Sequence, residues 1–192
     1  MKKLIVAFLF GLMIFSCKEK AEEPESNLNT APKESIFLLD SKWKNQNGKE
    51  LQLKDLKGKN LVVVMIFTSC QTACPILVAD MQQISAKIDP KKSGETNMVL
   101  ISIDPDNDTP QVLKKYAQER KMDDEHWTLL TSDKESIREL ANVLAVKYKK
   151  ISPIIFSHSN IITVFNKNGE MVHQAEGTVN SAEVAKFVNE LK

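Results

Sequence analysis

Cys70 and Cys74 stand four residues apart in Phe67-Thr68-Ser69-Cys70-Gln71-Thr72-Ala73-Cys74-Pro75. Two thiols so close can do two kinds of chemistry. They can cycle between dithiol and disulfide, or they can hold a soft metal ion as thiolates. Dithiol oxidoreductases of the thioredoxin type place two residues between their cysteines; here there are three. The longer spacer still permits a disulfide, and it also suits two sulfurs on opposite sides of a small ion. Cu(I) favours thiolates and low coordination numbers. A structural zinc site needs four ligands, and the pair supplies only two. Histidine is the natural third donor, and the chain has three. His126 lies in the acidic stretch Asp123-Asp124-Glu125-His126-Trp127, which reads as an exposed loop. His173 falls in a C-terminal hairpin and is expected to face solvent. His158 precedes a strand, in Ile155-Phe156-Ser157-His158-Ser159-Asn160. The residue types alone leave both the chemistry and the third ligand open.

The elements around the pair can be read from apolar periodicity. Leu61 to Phe67 is an unbroken apolar run and reads as a buried strand. Leu77, Met81, Ile84 and Ile88 then recur at helical spacing, and Asp89-Pro90 is expected to end that helix. If the chain is helical from Ser69 onward, Cys70 and Cys74 share one helix face, and the helix N-terminus favours a thiolate there. Pro75 has no amide hydrogen, so it perturbs the first turn around the thiols.

Elsewhere, Ile36 to Leu39 reads as a first strand. Asn47-Gly48 marks a hairpin, with Leu51 and Leu53 in alternation after it. Met98 to Ile103 reads as a second buried strand. Thr109 and Pro110 open a helix with Val112, Leu113 and Tyr116 on its inner face. Ser132 and Glu135 form a capping box for a helix carrying Ile137, Leu140, Ala141 and Leu144. Ile161 to Phe165 and Met171 to Gln174 make a hairpin about Asn168-Gly169. Asn180 or Ser181 caps a last helix with Val184, Phe187, Val188 and Leu191 on one side. The order is βαβαα, a β-hairpin, then α. That predicts an α/β fold with a central mixed sheet, helices on both faces and no second domain.

The N-terminus has a different composition. Lys2 and Lys3 precede an apolar run from Leu4 to Phe15, too short to span a bilayer. It matches the core of a secretory signal, and Ile14-Phe15-Ser16-Cys17 matches a bacterial lipobox. The expectation is a signal peptide over residues 1–16, a lipidated Cys17, a polar tether over 17–33 and a folded domain over 34–192. Such a protein is anchored by acyl chains on the extracytoplasmic, periplasm-facing side of a bacterial membrane. Of three cysteines, assigning one to lipid leaves Cys70 and Cys74 as the only thiol pair. A formal charge of +1 gives no basis for a nucleic-acid partner.

Two other patterns carry less. Asp104, Asp106 and Asp108 alternate as in a calcium loop, but Thr109 and Lys115 stand where that loop needs glycine and glutamate. They read as a turn whose carboxylates sit near a helix N-terminus. Met65, Met81 and Met98 lie on apolar faces and read as core.

Three motifs in order carry a family resemblance: Thr68-x-Cys70-x-x-x-Cys74-Pro75, Ile103-Asp104-Pro105-Asp106-Asn107-Asp108-Thr109-Pro110, and His158-Ser159 before a strand that ends at Asn168-Gly169. Over about Asp55 to Phe187 the chain resembles the Sco/SenC family of thioredoxin-like copper proteins. The resemblance implies a thioredoxin-like fold with an N-terminal extension and β-hairpins. It implies one copper ion, Cu(I) or Cu(II), on Cys70, Cys74 and His158. It implies a metallochaperone that delivers copper to the binuclear centre of cytochrome c oxidase or reduces that centre's cysteines, and it leaves open whether the protein is also an enzyme. The partner would be the copper-receiving subunit of a respiratory oxidase or another cuproprotein, met by a monomer. The alternative is an extracytoplasmic thiol–disulfide oxidoreductase, with Cys70 as nucleophile and Cys74 as resolving thiol. A Cys70–Cys74 disulfide would be the off state of the copper site. The chain departs from the family pattern at Ile76 and Leu77, where an acidic residue usually follows the Cys-Pro pair. It departs again at Ser157, where an aspartate usually precedes the histidine.

Overall fold

The computed structural model describes residues 35–153 and 155–192. The expected signal peptide, Cys17 and the tether lie outside the described residues. Among the described residues, no helix is long and apolar enough to cross a membrane.

Among the described residues nine strands form in chain order: β1 (Lys42–Asn45), β2 (Glu50–Gln52), β3 (Asn60–Ile66), β4 (Thr96–Ser102), β5 (Trp127–Thr131), β6 (Tyr148–Ser152), β7 (Ile155–His158), β8 (Ile161–Phe165) and β9 (Met171–Glu176). The helices are α1 (Ala73–Lys87), α2 (Pro90–Ser93), α3 (Pro110–Glu119), α4 (Lys134–Val143) and α5 (Ser181–Glu190). Seven strands make one sheet in the order β2-β1-β5-β4-β3-β8-β9, and β6 pairs with β7 in a separate two-stranded sheet. The sheet is mixed, as expected. β3, β4 and β5 run parallel, while β8 lies antiparallel on β3 and β1 antiparallel on β5. Every residue of β3 and β4 is buried. That burial explains their unbroken apolar runs: a parallel sheet covered by helices on both faces has no solvent side to make polar. Met65, Met81 and Met98 are core residues.

The structure corrects several local expectations. Ile36 to Leu39 is not a strand but a 3-10 turn, Ile36–Leu38, capped by Ser35. It plugs the core with Ile36 and Phe37 and leaves Leu38 exposed. Its seat is the tight turn at Gly169, whose φ of +77° and whose missing Cβ let the Phe37 ring approach. β5 is not in the expected order, so the run from β3 to α4 is βααβαβα, with the one-turn α2 after α1, and not βαβαα. Trp127-Thr128-Leu129-Leu130-Thr131 is short and directly follows the acidic stretch. Only its pairing with β4 and β1 on either side makes it a strand. β6 and β7 likewise lie outside the expected order.

At helix ends, α1 stops at Lys87, and Asp89-Pro90 opens the one-turn α2 rather than only closing α1. Asp133, not Ser132, caps α4 by accepting the Ser136 N–H at 2.7 Å. The Ser132 hydroxyl instead donates to the Lys42 carbonyl of β1. Thr109 and Asn180 cap α3 and α5 as expected. Val112 faces out, and Ala117 joins Leu113 and Tyr116 on the inner face of α3.

Candidate metal centre

β3 delivers the chain to one end of the sheet, and Phe67 remains buried just past it. The backbone then turns through Thr68 to Thr72 before α1 begins at Ala73. Only Cys74 is therefore helical. Cys70 lies in the preceding turn, which corrects the expectation that both thiols share a helix face. The two still meet. Thr72, at the N-cap position, makes no side-chain cap, and the free N–H of Cys74 donates to the Cys70 sulfur at 3.3 Å. The sulfur thus occupies the place of a capping oxygen, where the helix N-terminus favours negative charge.

The third donor comes from the small hairpin. β7 ends in His158, whose Nε2 lies 3.3 Å from the Cys74 sulfur. The Nδ1 is 3.0 Å from the Ser159 carbonyl oxygen. A carbonyl can only accept, so Nδ1 carries the proton and Nε2 turns its lone pair toward the thiols. That bond orients the ring without the neighbouring carboxylate that Ser157 replaces. The Phe67 ring meets the imidazole edge-on at 5.9 Å and packs against Phe156 of β7 at 5.2 Å. The ligand atoms of Cys70, Cys74 and His158 all lie within 4.8 Å of one another. His126 lies elsewhere. It precedes β5 and accepts through its carbonyl from the N–H of Met98, at the opposite end of the parallel strands. It is half-buried, not exposed. His173 does not stand free in solvent either; its ring stacks on Phe187 at 4.0 Å.

The sequence profile of the family described as SCO1/SenC matches residues 31–192. The chain belongs to the SCO1/SenC family. A SCO1 protein homolog from Bacillus subtilis is 31% identical over 141 residues, covering 72% of this chain and 69% of the relative. The crystal structure of a SCO1/SenC family lipoprotein from Bacillus anthracis is 29% identical, with a TM-score of 0.71 over 78% of this chain and 91% of that one. Bradyrhizobium japonicum ScoI, solved with copper bound, shares the fold at 24% identity and a TM-score of 0.68, over 79% of this chain and 97% of that one.

In this SCO1/SenC chain the two thiols are electrostatically unequal. Burial opposes ionisation of Cys70. The backbone N–H groups of Cys74 and Thr72 outweigh it, with help from both side chains, and hold its pKa below the ordinary thiol value. Cys74 is pushed well above that value, first by burial and then by the adjacent Cys70 and the negative charge of Asp108, against a hydrogen bond from the Phe67 backbone. Burial lowers the pKa of His158, partly offset by the Ser159 carbonyl, so the imidazole is neutral near pH 7. One half-buried, ionisable thiol, one buried thiol and one neutral imidazole form a donor set that fits a soft ion such as Cu(I).

Sequence reasoning missed the layer beneath the three candidate donors. Asp108 is fully buried and accepts from the Thr68 N–H at 3.1 Å, the Thr68 hydroxyl at 2.5 Å and the Ser102 hydroxyl at 2.5 Å. Burial raises its pKa against those bonds, and the charge of Asp104 raises it further. Asp104 is also buried and accepts from Asn107 at 2.7 Å, whereas exposed Asp106 pairs with Lys134 at 2.9 Å and Lys150 at 3.1 Å. The turn expected at these carboxylates is present, but it is tied to the cysteine loop and, through Lys150, to β6. The alternation of acids hid this, because only Asp108 faces the cysteine loop.

Proposed function

We propose that this chain is a copper metallochaperone that holds its cargo on Cys70, Cys74 and His158. The observation that carries the reading is the convergence of the three donor atoms, with the Nε2 lone pair of His158 already turned to the Cys74 sulfur. The copper-bound relative of the same fold supports it. Loading exchanges the proton of Cys74 for the ion, while the ionisable Cys70 offers the more accessible sulfur for first capture. Release follows by ligand exchange with an acceptor. The family resemblance supports as acceptor the copper-receiving subunit of a respiratory oxidase during assembly of its binuclear centre, or another cuproprotein. The lipobox-like run ending at Cys17 supports a position on the extracytoplasmic side of a bacterial membrane, held by acyl chains. A Cys70–Cys74 disulfide removes both thiolates in a two-electron oxidation and closes the site to copper until a partner dithiol reduces it.

The test is anaerobic titration of the reduced protein with Cu(I) and with Cu(II). One equivalent should bind tightly, and Cys70→Ala/Cys74→Ala should abolish binding. Wild-type protein that takes up neither ion would refute the reading.

One observation favours a second function. An accessible low-pKa thiol beside a buried high-pKa one is the division of labour of a thiol–disulfide oxidoreductase, with Cys70 attacking a substrate disulfide and Cys74 resolving the mixed disulfide. Rapid insulin reduction together with weak copper binding would favour it over the chaperone.

A further inference from the structure

The peptide unit joining Phe67 to Thr68 is held on both edges. Its N–H donates to Asp108 Oδ2 at 3.1 Å, and its carbonyl accepts the N–H of Cys70 at 3.3 Å. The Thr68 hydroxyl makes a second bond to the same carboxylate. Residue 67 also reaches His158, its ring lying edge-on to the imidazole at 5.9 Å. The Phe67–Thr68 segment therefore holds Cys70 through its backbone and borders His158 through the Phe67 ring.

Asp108 is anchored independently of the loop. It is 1% exposed, its Oδ2 also accepts from Ser102 at the end of β4, and Thr109 beside it caps α3. Three donors converge on its two oxygens. A carboxylate can satisfy them all, whereas an amide would turn an NH2 group onto a donor.

We propose that Asp108 is the positioning residue of the metal centre: it clamps the Phe67–Thr68 peptide through Thr68 and so sets where the Cys70 sulfur lies relative to Cys74 and His158. The inference rests on the metal-binding reading for what the ligands hold, but the clamp can also be read on the metal-free thiols.

The experiment compares the wild-type chain with Asp108→Asn, Thr68→Val and Thr68→Ser. Three quantities are measured: Cu(I) affinity by competition with a chromophoric chelator, the Cu(II)–thiolate absorption, and the rate at which iodoacetamide alkylates Cys70 in the reduced, metal-free protein at pH 7. Asp108→Asn and Thr68→Val should each weaken Cu(I) binding about 10-fold or more, the loss typical when a ligand's supporting partner is removed, whereas Thr68→Ser should stay within about twofold. The first two should also shift the absorption band and slow alkylation of Cys70. If both bind copper like wild type, with unchanged band and alkylation rate, Asp108 serves stability alone and the proposal fails. Should Asp108→Asn not fold, the Thr68→Val and Thr68→Ser pair decides. Should wild type itself bind no copper, the chaperone reading falls, and the alkylation comparison alone decides the clamp.

Discussion

The Nε2 of His158 lies 3.3 Å from the sulfur of Cys74, two residues 84 positions apart in the chain. One sits at the end of β7 and the other in the first turn of α1. The contact joins the small hairpin to the central domain at the point where a metal would bind. His158→Ala should therefore weaken copper binding by more than the roughly 10- to 100-fold expected for a supporting residue, and should alter the Cu(II)–thiolate absorption. Chelator competition and absorption spectra check both. A variant that keeps wild-type affinity and spectrum would remove His158 from the ligand set.

The inequality of the thiols should appear as selective chemistry. In the reduced, metal-free protein at neutral pH, iodoacetamide should modify Cys70 and spare Cys74. Cys70 is half-buried with a lowered pKa, and Cys74 is buried with a raised one. Peptide mapping by mass spectrometry reads the site. Equal labelling of both would contradict the assigned environments.

Copper affinity should rise with pH across the neutral range. Cys74 has a raised pKa and keeps its proton there, so the incoming ion must displace it. His158 has a lowered pKa and is neutral near pH 7; as pH falls through its folded-state value it gains a proton, so acid weakens binding further. For one displaced proton the Cu(I) affinity should change about tenfold per pH unit. A flat profile between pH 6 and 8 would show that Cys74 is already a thiolate.

The hairpin that carries His158 should be separable from global stability. Phe156 packs on Phe67 at 5.2 Å, and Lys150 of β6 pairs with Asp106 at 3.1 Å. Phe156→Ala removes the aromatic contact, worth about 0.5–1.5 kcal/mol beyond its buried area. Copper affinity should drop while the central sheet stays intact. Urea unfolding by circular dichroism and copper competition, measured on the same variant, test this. Affinity unchanged in Phe156→Ala would mean that Ser159 alone orients the imidazole.

Much of the architecture was written in local pattern. The apolar runs of β3 and β4, the turn at Asn47-Gly48, the caps at Thr109 and Asn180 and the spacing of Cys70 and Cys74 each depend on neighbours within a few residues. Side-chain alternation, backbone hydrogen bonding and turn conformation act over that range. The three motifs in order then pointed to the family and, through it, to His158. The tertiary structure decided what depends on partners distant in sequence. β5 is a strand because β4 and β1 flank it, and Ile36–Leu38 is a turn because Gly169 leaves room for Phe37. Cys70 stands outside the helix, with its sulfur bound to the N–H of Cys74. Asp108 reads in sequence as one acid among three. Burial and three converging donors single it out, and those donors come from β4 and the cysteine loop, 6 and 40 residues away. The sequence determined which residues could bind copper; packing across the sheet decided which of them meet and how each is held.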